Sequence, residues 1–178
     1  VISVSEAHFD LDYYGGPAVS VTPVVKGADA EVAVEVFVTG TKDTDELEFV
    51  ITDEGQEIAK QTVSADTTKV NFTISNVHLW NGRKDPHLYT AQISLKHAGN
   101  VVDERSVRFG CRSFEIDPEK GFILNGERYP LHGVSRHQDR PKIGNALTHK
   151  DHEEDIDLIL EMGANTIRLA HYQHDQYF

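Results

Sequence analysis

The chain has 178 residues, 39% of them hydrophobic and 26% charged, which is the composition of an ordinary globular protein. Lysine and arginine total 17 against 29 aspartates and glutamates, so the net charge is −12. A surface this acidic repels phosphate backbones and anionic lipid, and no apolar run is long enough to span a membrane. We therefore expect neither a nucleic-acid nor a membrane partner.

The single cysteine, Cys111, has no second thiol to pair with in the chain and is expected to be a small buried hydrophobe. The first ten residues, VISVSEAHFD, contain no methionine, basic stretch or long apolar stretch, so we expect no signal peptide there. They are typical of a strand inside a longer protein, which leaves the compartment open between cytoplasm and periplasm.

Residues 1–112 contain several short segments in which apolar and polar residues alternate with a period of two. Such alternation places one face of a strand on a core and the other in water. The predicted core faces consist of Val32, Val34, Val36 and Val38; Leu47, Phe49 and Ile51; Val70, Phe72 and Ile74; and Tyr89, Ala91, Ile93 and Leu95. Turn residues separate these segments, so the pattern predicts an immunoglobulin-like β-sandwich over residues 1–112.

The pattern changes in residues 113–178. Asn125 and Gly126 lie between two apolar segments and suit a type I′ hairpin turn, in which both central residues have positive φ. The stretch THKDHEEDIDLILEMG predicts a helix that Thr148 caps, with Asp151 three residues later and Gly163 as the terminator. Strand, helix and the following strand NTIRLA together predict a βα unit of a parallel sheet.

The predicted helix has an apolar and an acidic side. We expect Ile156, Ile159 and Leu160, with Met162 nearby, to form its buried stripe. The acidic residues are expected to be solvated on its polar face rather than to act as paired catalytic carboxylates. These acidic residues are Asp151, Glu153, Glu154, Asp155, Asp157 and Glu161.

Polar residues follow both strands of the βα unit. Arg136, His137 and Asp139 come after the first strand, and Arg168, His171 and Asp175 belong to the second. Ligands of parallel α/β folds bind at the carboxyl ends of strands, so these residues are candidates for a pocket that binds a polar substrate. The alternative is that each is a loop residue bonded to nearby backbone.

Two pairs of histidines have a spacing that could suit zinc. His171 and His174 form one pair, and His149 and His152 form the other. The sequence specifies no third ligand, so we expect no metal site in this chain.

The stretch from Gly121 to Phe178 resembles glycoside hydrolase family 2, which comprises β-galactosidases, β-glucuronidases and β-mannosidases. The resemblance rests on GF-LNG, HGV-RHQD, DI-LI--MGAN and IRLAHY, which occur in the family's order, and on LWNGRKDPHLYT upstream. Among the family's branches, the RHQD stretch looks most like β-galactosidases, since glucuronidases usually have Lys-His-Glu-Asp there.

The resemblance implies a jelly-roll domain, an immunoglobulin-like domain and then a (β/α)8 barrel. Residues 1–5 would be the last strand of the jelly roll, residues 1–112 the sandwich, and residues 113–178 the incomplete start of the catalytic barrel. The fold expected is therefore mainly β, with a truncated βαβ beginning of a TIM barrel, and the chain is expected to be an excised piece.

The resemblance also implies roles for three residues. Arg168 matches an arginine that hydrogen-bonds the nucleophilic glutamate, and His137 and His171 match histidines that contact sugar hydroxyls. The family usually has proline where this chain has Gln173, which affects the rigidity of that loop. Both catalytic glutamates and the ligands of the enzyme's magnesium and sodium would lie beyond Phe178, so we expect no catalytic residue and no cofactor within the chain.

The function expected is therefore that of a fragment, itself inactive, of a retaining exo-glycosidase that hydrolyses terminal β-D-galactosides. The alternatives are a β-glucuronidase or another glycosidase of the family, or a non-catalytic immunoglobulin-like module that binds carbohydrate or protein. We further expect residues 119–178 to pack on the sandwich or on a second copy of the chain, since two barrel strands leave sheet edges exposed.

Overall fold

The computed structural model describes residues 7–10, 17–175 and 177–178. The chain divides into two compact units, Val1–Ser113 and Phe114–Phe178. The jelly-roll strand predicted at residues 1–5 lies outside the described residues. In the part that is described, no helix has both the length and the apolar character needed to cross a bilayer.

The described part of the first unit contains β-strands joined by turns and loops, and no helix. The strands are β1 (His8–Phe9), β2 (Val19–Lys26), β3 (Asp29–Val36), β4 (Val38–Thr39), β5 (Glu46–Asp53), β6 (Gln56–Ser64), β7 (Lys69–Ile74), β8 (Tyr89–His97) and β9 (Asn100–Phe109). One antiparallel sheet has the order β2-β3-β7 and the other β6-β5-β8-β9, while β1 pairs with β4. Within each sheet β2 pairs with β3, β5 with β6 and β8 with β9, and the chain passes between the two sheets from β6 to β7 and from β7 to β8. The predicted immunoglobulin-like sandwich is therefore confirmed.

The core of the sandwich contains the alternating apolar residues of both sheets. Val32 and Val34 of β3 are completely buried, and so are Leu47 and Ile51 of β5. Val38 is half-buried, but it packs against this core as predicted. It is partly exposed because β3 ends at Val36, and Val38 begins a separate short strand that pairs with β1.

The second unit combines a small antiparallel sheet with a parallel strand pair. Its elements are β10 (Phe114–Asp117), β11 (Gly121–Leu124), β12 (Glu127–Arg128), β13 (Gly133–Arg136), α1 (His149–Glu161) and β14 (Thr166–Leu169). The turn between β11 and β12 has φ of 51° at Asn125 and 82° at Gly126, which confirms the predicted hairpin. β13 and β14 are parallel, with α1 between them in the chain, as the predicted βα unit requires.

The ends of α1 agree with the sequence, but its buried face does not. Thr148 caps the helix in capping-box geometry with Asp151, and Gly163 follows its end with φ of 85°. Leu160 and Met162 are exposed, so the predicted stripe reduces to Ile156 and Ile159, both half-buried. Among the described residues, the parallel sheet beside α1 has only two strands. His152 is the one residue of α1 that is fully buried.

Candidate functional site

The candidate site lies at the carboxyl ends of β13 and β14. The two strands pair from Gly133 with Thr166 to Arg136 with Leu169, and the N–H of Ala170 donates to the carbonyl of Arg136 at 2.9 Å. Because the strands are parallel and in register, the segments that follow them, residues 137–140 and 170–175, emerge at the same edge. This edge is where ligands of parallel α/β folds bind.

The opposite ends of the two strands are held together by a glycine and an asparagine. A Cβ on Gly133 would lie 2.7 Å from Cγ2 of Thr166 and in contact with its carbonyl oxygen, so only glycine allows this strand spacing. The side chain of Asn165 accepts from the N–H of His132 and donates to the carbonyl of Pro130, both at 2.8 Å. These contacts fix the register that brings the two polar segments together.

Arg136 is not a pocket residue but the centre of a buried polar cluster, so the prediction that placed it with the pocket was wrong. Its guanidinium donates to the carboxylate of Asp155 at 2.9 and 2.6 Å, to Nδ1 of His152 at 2.9 Å and to Nδ1 of His174 at 3.1 Å. The ring of Phe178 lies 3.8 Å from its central carbon. Alternation along β13 explains this orientation, since successive side chains point to opposite faces of the sheet.

The two histidines in this cluster accept hydrogen bonds from Arg136, because a guanidinium has no acceptor. Nδ1 of each ring is therefore the acceptor, and Nε2 of His174 donates to the carbonyl of Ala170 at 3.4 Å. His152 and His174 are thus engaged with an arginine rather than with their partners in the HxxH pairs. Among the described residues, no group of three or more His, Cys, Asp or Glu side chains is placed to hold a metal ion.

The acidic residues of α1 are not uniformly solvated, so that prediction was wrong for Asp155 and Asp151. Arg140 donates to Asp155 at 2.6 Å, to Asp151 at 3.0 Å and to Glu154 at 2.5 Å. Burial raises the pKa of the Asp155 carboxyl, but the hydrogen bonds and charges of Arg140 and Arg136 outweigh it and lower that pKa. The pKa of Asp151 is lowered chiefly by its hydrogen bonds from Thr148. The carboxylates of Asp155 and Glu154 raise the pKa of Arg140.

Two of the three residues with predicted substrate roles, His137 and His171, lie side by side. Both are exposed, and their ring centroids are 5.0 Å apart in an edge-to-face arrangement. Arg168 is exposed on β14, in register with Ser135, and no described residue hydrogen-bonds its guanidinium. Asp139 is exposed in the segment after β13, and Asp175 in the segment after β14.

His171 adopts a backbone conformation that is uncommon for residues other than glycine. Its φ is 69°, in the left-handed region, which histidine tolerates more readily than branched residues do. Such conformations cost free energy and persist where neighbouring contacts impose them, often at functional sites.

Sequence reasoning missed two side chains that join the segments after β13 and β14. The N–H of Gln138 donates to the hydroxyl of Tyr172 at 3.1 Å, and its Oε1 accepts from the N–H of Asp175 at 2.7 Å. The sequence hinted at these two hydrogen bonds only in that Gln138 follows His137, a candidate site residue.

Comparison with known proteins covers both units of the chain. A family model for glycosyl hydrolases family 2 matches residues 17–112, and the model for the TIM barrel domain of the same family matches residues 114–178. A β-glucuronidase from Bacteroides fragilis is 39% identical over 176 residues, which is 94% of this chain and 25% of that protein. A β-galactosidase large subunit from Lactobacillus acidophilus is 37% identical over 122 residues, which is 66% of this chain and 19% of that protein.

Two crystal structures resemble nearly the whole chain. An FMN-binding β-glucuronidase from Faecalibacterium prausnitzii L2-6 is 44% identical with a TM-score of 0.90, and the match covers 97% of this chain and 27% of that one. A putative β-galactosidase from Bacteroides fragilis is 36% identical with a TM-score of 0.88, over 96% of this chain and 27% of that one. The chain thus spans about a quarter of the length of such relatives, and its second unit is the start of a TIM barrel.

Proposed function

The chain belongs to glycoside hydrolase family 2, and from this we propose that it is part of a longer enzyme that hydrolyses terminal β-linked glycosides with retention. The observation that best supports this proposal is the pairing of His137 and His171 at the carboxyl ends of two parallel strands, with rings 5.0 Å apart. Two exposed imidazoles at that edge can donate to and accept from the hydroxyls of a sugar.

For the sugar, we propose a β-D-glucuronide as the first candidate. The support is that relatives named β-glucuronidase match 94% and 97% of the chain, at 39% and 44% identity. A β-D-galactoside is the second candidate. It is supported by the RHQD stretch at residues 136–139 and by relatives named β-galactosidase, one of which is 36% identical over 96% of the chain.

We propose that the three predicted site residues position the sugar and the nucleophile. His137 and His171 would hydrogen-bond sugar hydroxyls, and Arg168 would hold the nucleophilic glutamate ionised beside the anomeric carbon. The guanidinium of Arg168 suits that role because it is exposed and hydrogen-bonds no described residue. A fixed cation beside a carboxylate favours the charged, nucleophilic form.

The reaction itself requires two carboxyl groups, about 5 Å apart in retaining enzymes. One attacks the anomeric carbon while the other protonates the leaving oxygen, and water then hydrolyses the glycosyl-enzyme with the second group acting as base. By the family resemblance both glutamates would lie on later barrel strands, so we propose that residues 1–178 alone do not catalyse hydrolysis. Among the described residues, no group of three or more His, Cys, Asp or Glu side chains is placed to hold a metal ion, so we propose no ligand of magnesium or sodium among them.

The test compares the chain with the longer protein that contains it, using nitrophenyl β-D-glucuronide and nitrophenyl β-D-galactoside. We expect hydrolysis of the glucuronide by the longer protein only, and a preference for the galactoside would favour the second candidate.

Arg168→Ala should greatly reduce kcat/KM, whereas Arg128→Ala, at an exposed position on β12, serves as the matched control. Failure to cleave either glycoside, or an Arg168→Ala enzyme with unchanged kcat/KM, would contradict the proposal.

We also propose that the exposed apolar side of α1 in the second unit is covered by other polypeptide, either in the longer enzyme or in an assembly of two copies. Leu158 is 58% exposed and Met162 66% exposed, so one side of α1 presents apolar surface to solvent. In the longer enzyme the rest of the barrel would cover it, and in the isolated chain a second copy would do so. Sedimentation should show concentration-dependent association of the isolated chain, and a strictly monomeric chain would exclude the second arrangement.

A further inference from the structure

The conformation of His171 must be imposed by its surroundings, because histidine does not favour a φ of 69°. The segment that contains it is attached to the rest of the unit on both sides. On one side its strand pairs with β13, and the N–H of Ala170 donates to Arg136. On the other side, contacts from residues 172–175 and from Phe178 fix where the segment leaves the sheet.

Two groups of contacts hold this second side, and they differ in character. His174 and Phe178 contact the buried guanidinium of Arg136, which also bonds α1 and therefore supports the unit as a whole. Gln138, in contrast, is half-buried, and among the described residues it hydrogen-bonds only Tyr172 and Asp175, at 3.1 and 2.7 Å. Both contacts follow His171 in sequence, by one residue and by four residues.

Gln138 is also covalently adjacent to His137, the other exposed imidazole of the site. Its backbone N–H and its side-chain carbonyl therefore join the residue after one site histidine to the segment that follows the other. Hydrogen bonds at two points restrict both translation and rotation of one segment relative to the other. The two rings lie edge to face with their centroids 5.0 Å apart.

We propose that Gln138 is a positioning residue that sets the spacing of His137 and His171. This inference rests on the proposed function, in which these histidines bind the hydroxyls of one sugar. A displacement of about 1 Å at such a site can reduce the rate a hundredfold. Gln138 itself lies outside the contact with substrate and acts through the two histidines.

The first measurement is kinetic and uses the longer enzyme with whichever nitrophenyl glycoside it cleaves. Gln138→Ala removes the acceptor for the Asp175 N–H and should lower kcat/KM of the folded enzyme by about tenfold. Gln138→Glu keeps an acceptor oxygen and should recover most of that loss, which a general loss of folding would not allow. Gln92→Ala, at an exposed glutamine on β8 of the first unit, is the matched control and should keep kcat/KM within about twofold of the unchanged enzyme.

The second measurement does not depend on activity and uses the 178-residue chain. Nuclear magnetic resonance should show contacts between the His137 and His171 rings, and an amide-to-Hα coupling of His171 that reports its positive φ. Gln138→Ala should weaken the ring contacts and average the coupling, and Tyr172→Phe should have a smaller effect in the same direction.

The two measurements separate the proposals. If the longer enzyme cleaves no glycoside, the proposed function fails while the spectra still decide whether Gln138 positions the histidines. If the enzyme is active and Gln138→Ala leaves kcat/KM, ring contacts and coupling unchanged, the positioning proposal is overturned.

Discussion

Replacing Arg136 with methionine tests whether one guanidinium holds the second unit together. Arg136 is 6% exposed and donates four hydrogen bonds, two of them to Asp155 and one each to His152 and His174. Removing one partner of a buried ion pair costs about 3–5 kcal/mol. The Asp155 side chain is 20% exposed and keeps its bond from Arg140, so we expect a smaller loss, about 2–3 kcal/mol.

The chain provides separate signals for its two units. Its single tryptophan, Trp80, lies in the first unit, and α1, the one helix of the described residues, lies in the second. Urea unfolding followed by the helical circular dichroism signal therefore reports the second unit, and Trp80 fluorescence reports the first.

Arg136→Met should reduce the free energy of unfolding seen in the helical signal. Arg136→Lys should recover little of it, because an ammonium group cannot replace a fork of donors. Arg128→Met, at an exposed site on β12, is the matched control. A helical transition for Arg136→Met within about 0.5 kcal/mol of the unchanged chain would refute the reasoning.

Three further predictions follow from other contacts. Gly133→Ala should destabilise the second unit by about 1–3 kcal/mol in the same urea assay, since its Cβ would meet Thr166, and an unchanged helical transition would count against the close strand spacing. The pKa of Asp155 is lowered in the folded chain, so its carboxylate stabilises the fold above the ordinary aspartate pKa and loses that effect as pH falls through the lowered value. The free energy of unfolding seen in the helical signal should therefore fall as the pH drops below the ordinary aspartate pKa, and less steeply in Asp155→Asn. Burial raises the pKa of Cys111 to about 11, so a thiol reagent at neutral pH should label it only as the sandwich unfolds, and rapid labelling of the native chain would contradict its burial.

The sandwich could be predicted from the sequence because its determinants are local. Alternation with a period of two identifies which side of a strand is buried, and Val32, Leu47 and Phe49 are accordingly in the core. Turn and cap chemistry is local as well, so the Asn125–Gly126 turn and the Thr148 cap could be predicted from a few residues each.

The candidate site could be predicted only in outline, because its organising contacts join residues far apart in the chain. Gln138 bonds residues 34 and 37 positions away, and Arg136 bonds His174 at a separation of 38. No periodicity reports such pairs. The apolar stripe of α1 was overestimated for a related reason: a helical pattern shows which side can be buried, but not how wide a sheet lies against it.

The end of β13 assigns opposite tasks to consecutive residues. Because side chains alternate across a strand, Arg136 points to the face where α1 packs, and His137 is exposed at the edge where it meets His171. The end of β13 thus positions the buried guanidinium of Arg136 and the exposed imidazole of His137 at a fixed distance from each other. Substitutions at Arg136 should therefore change the stability of the unit, whereas substitutions at His137 should change binding with little effect on stability. An arginine and a histidine that look like one polar motif in the sequence are separated by strand geometry into a structural residue and a site residue.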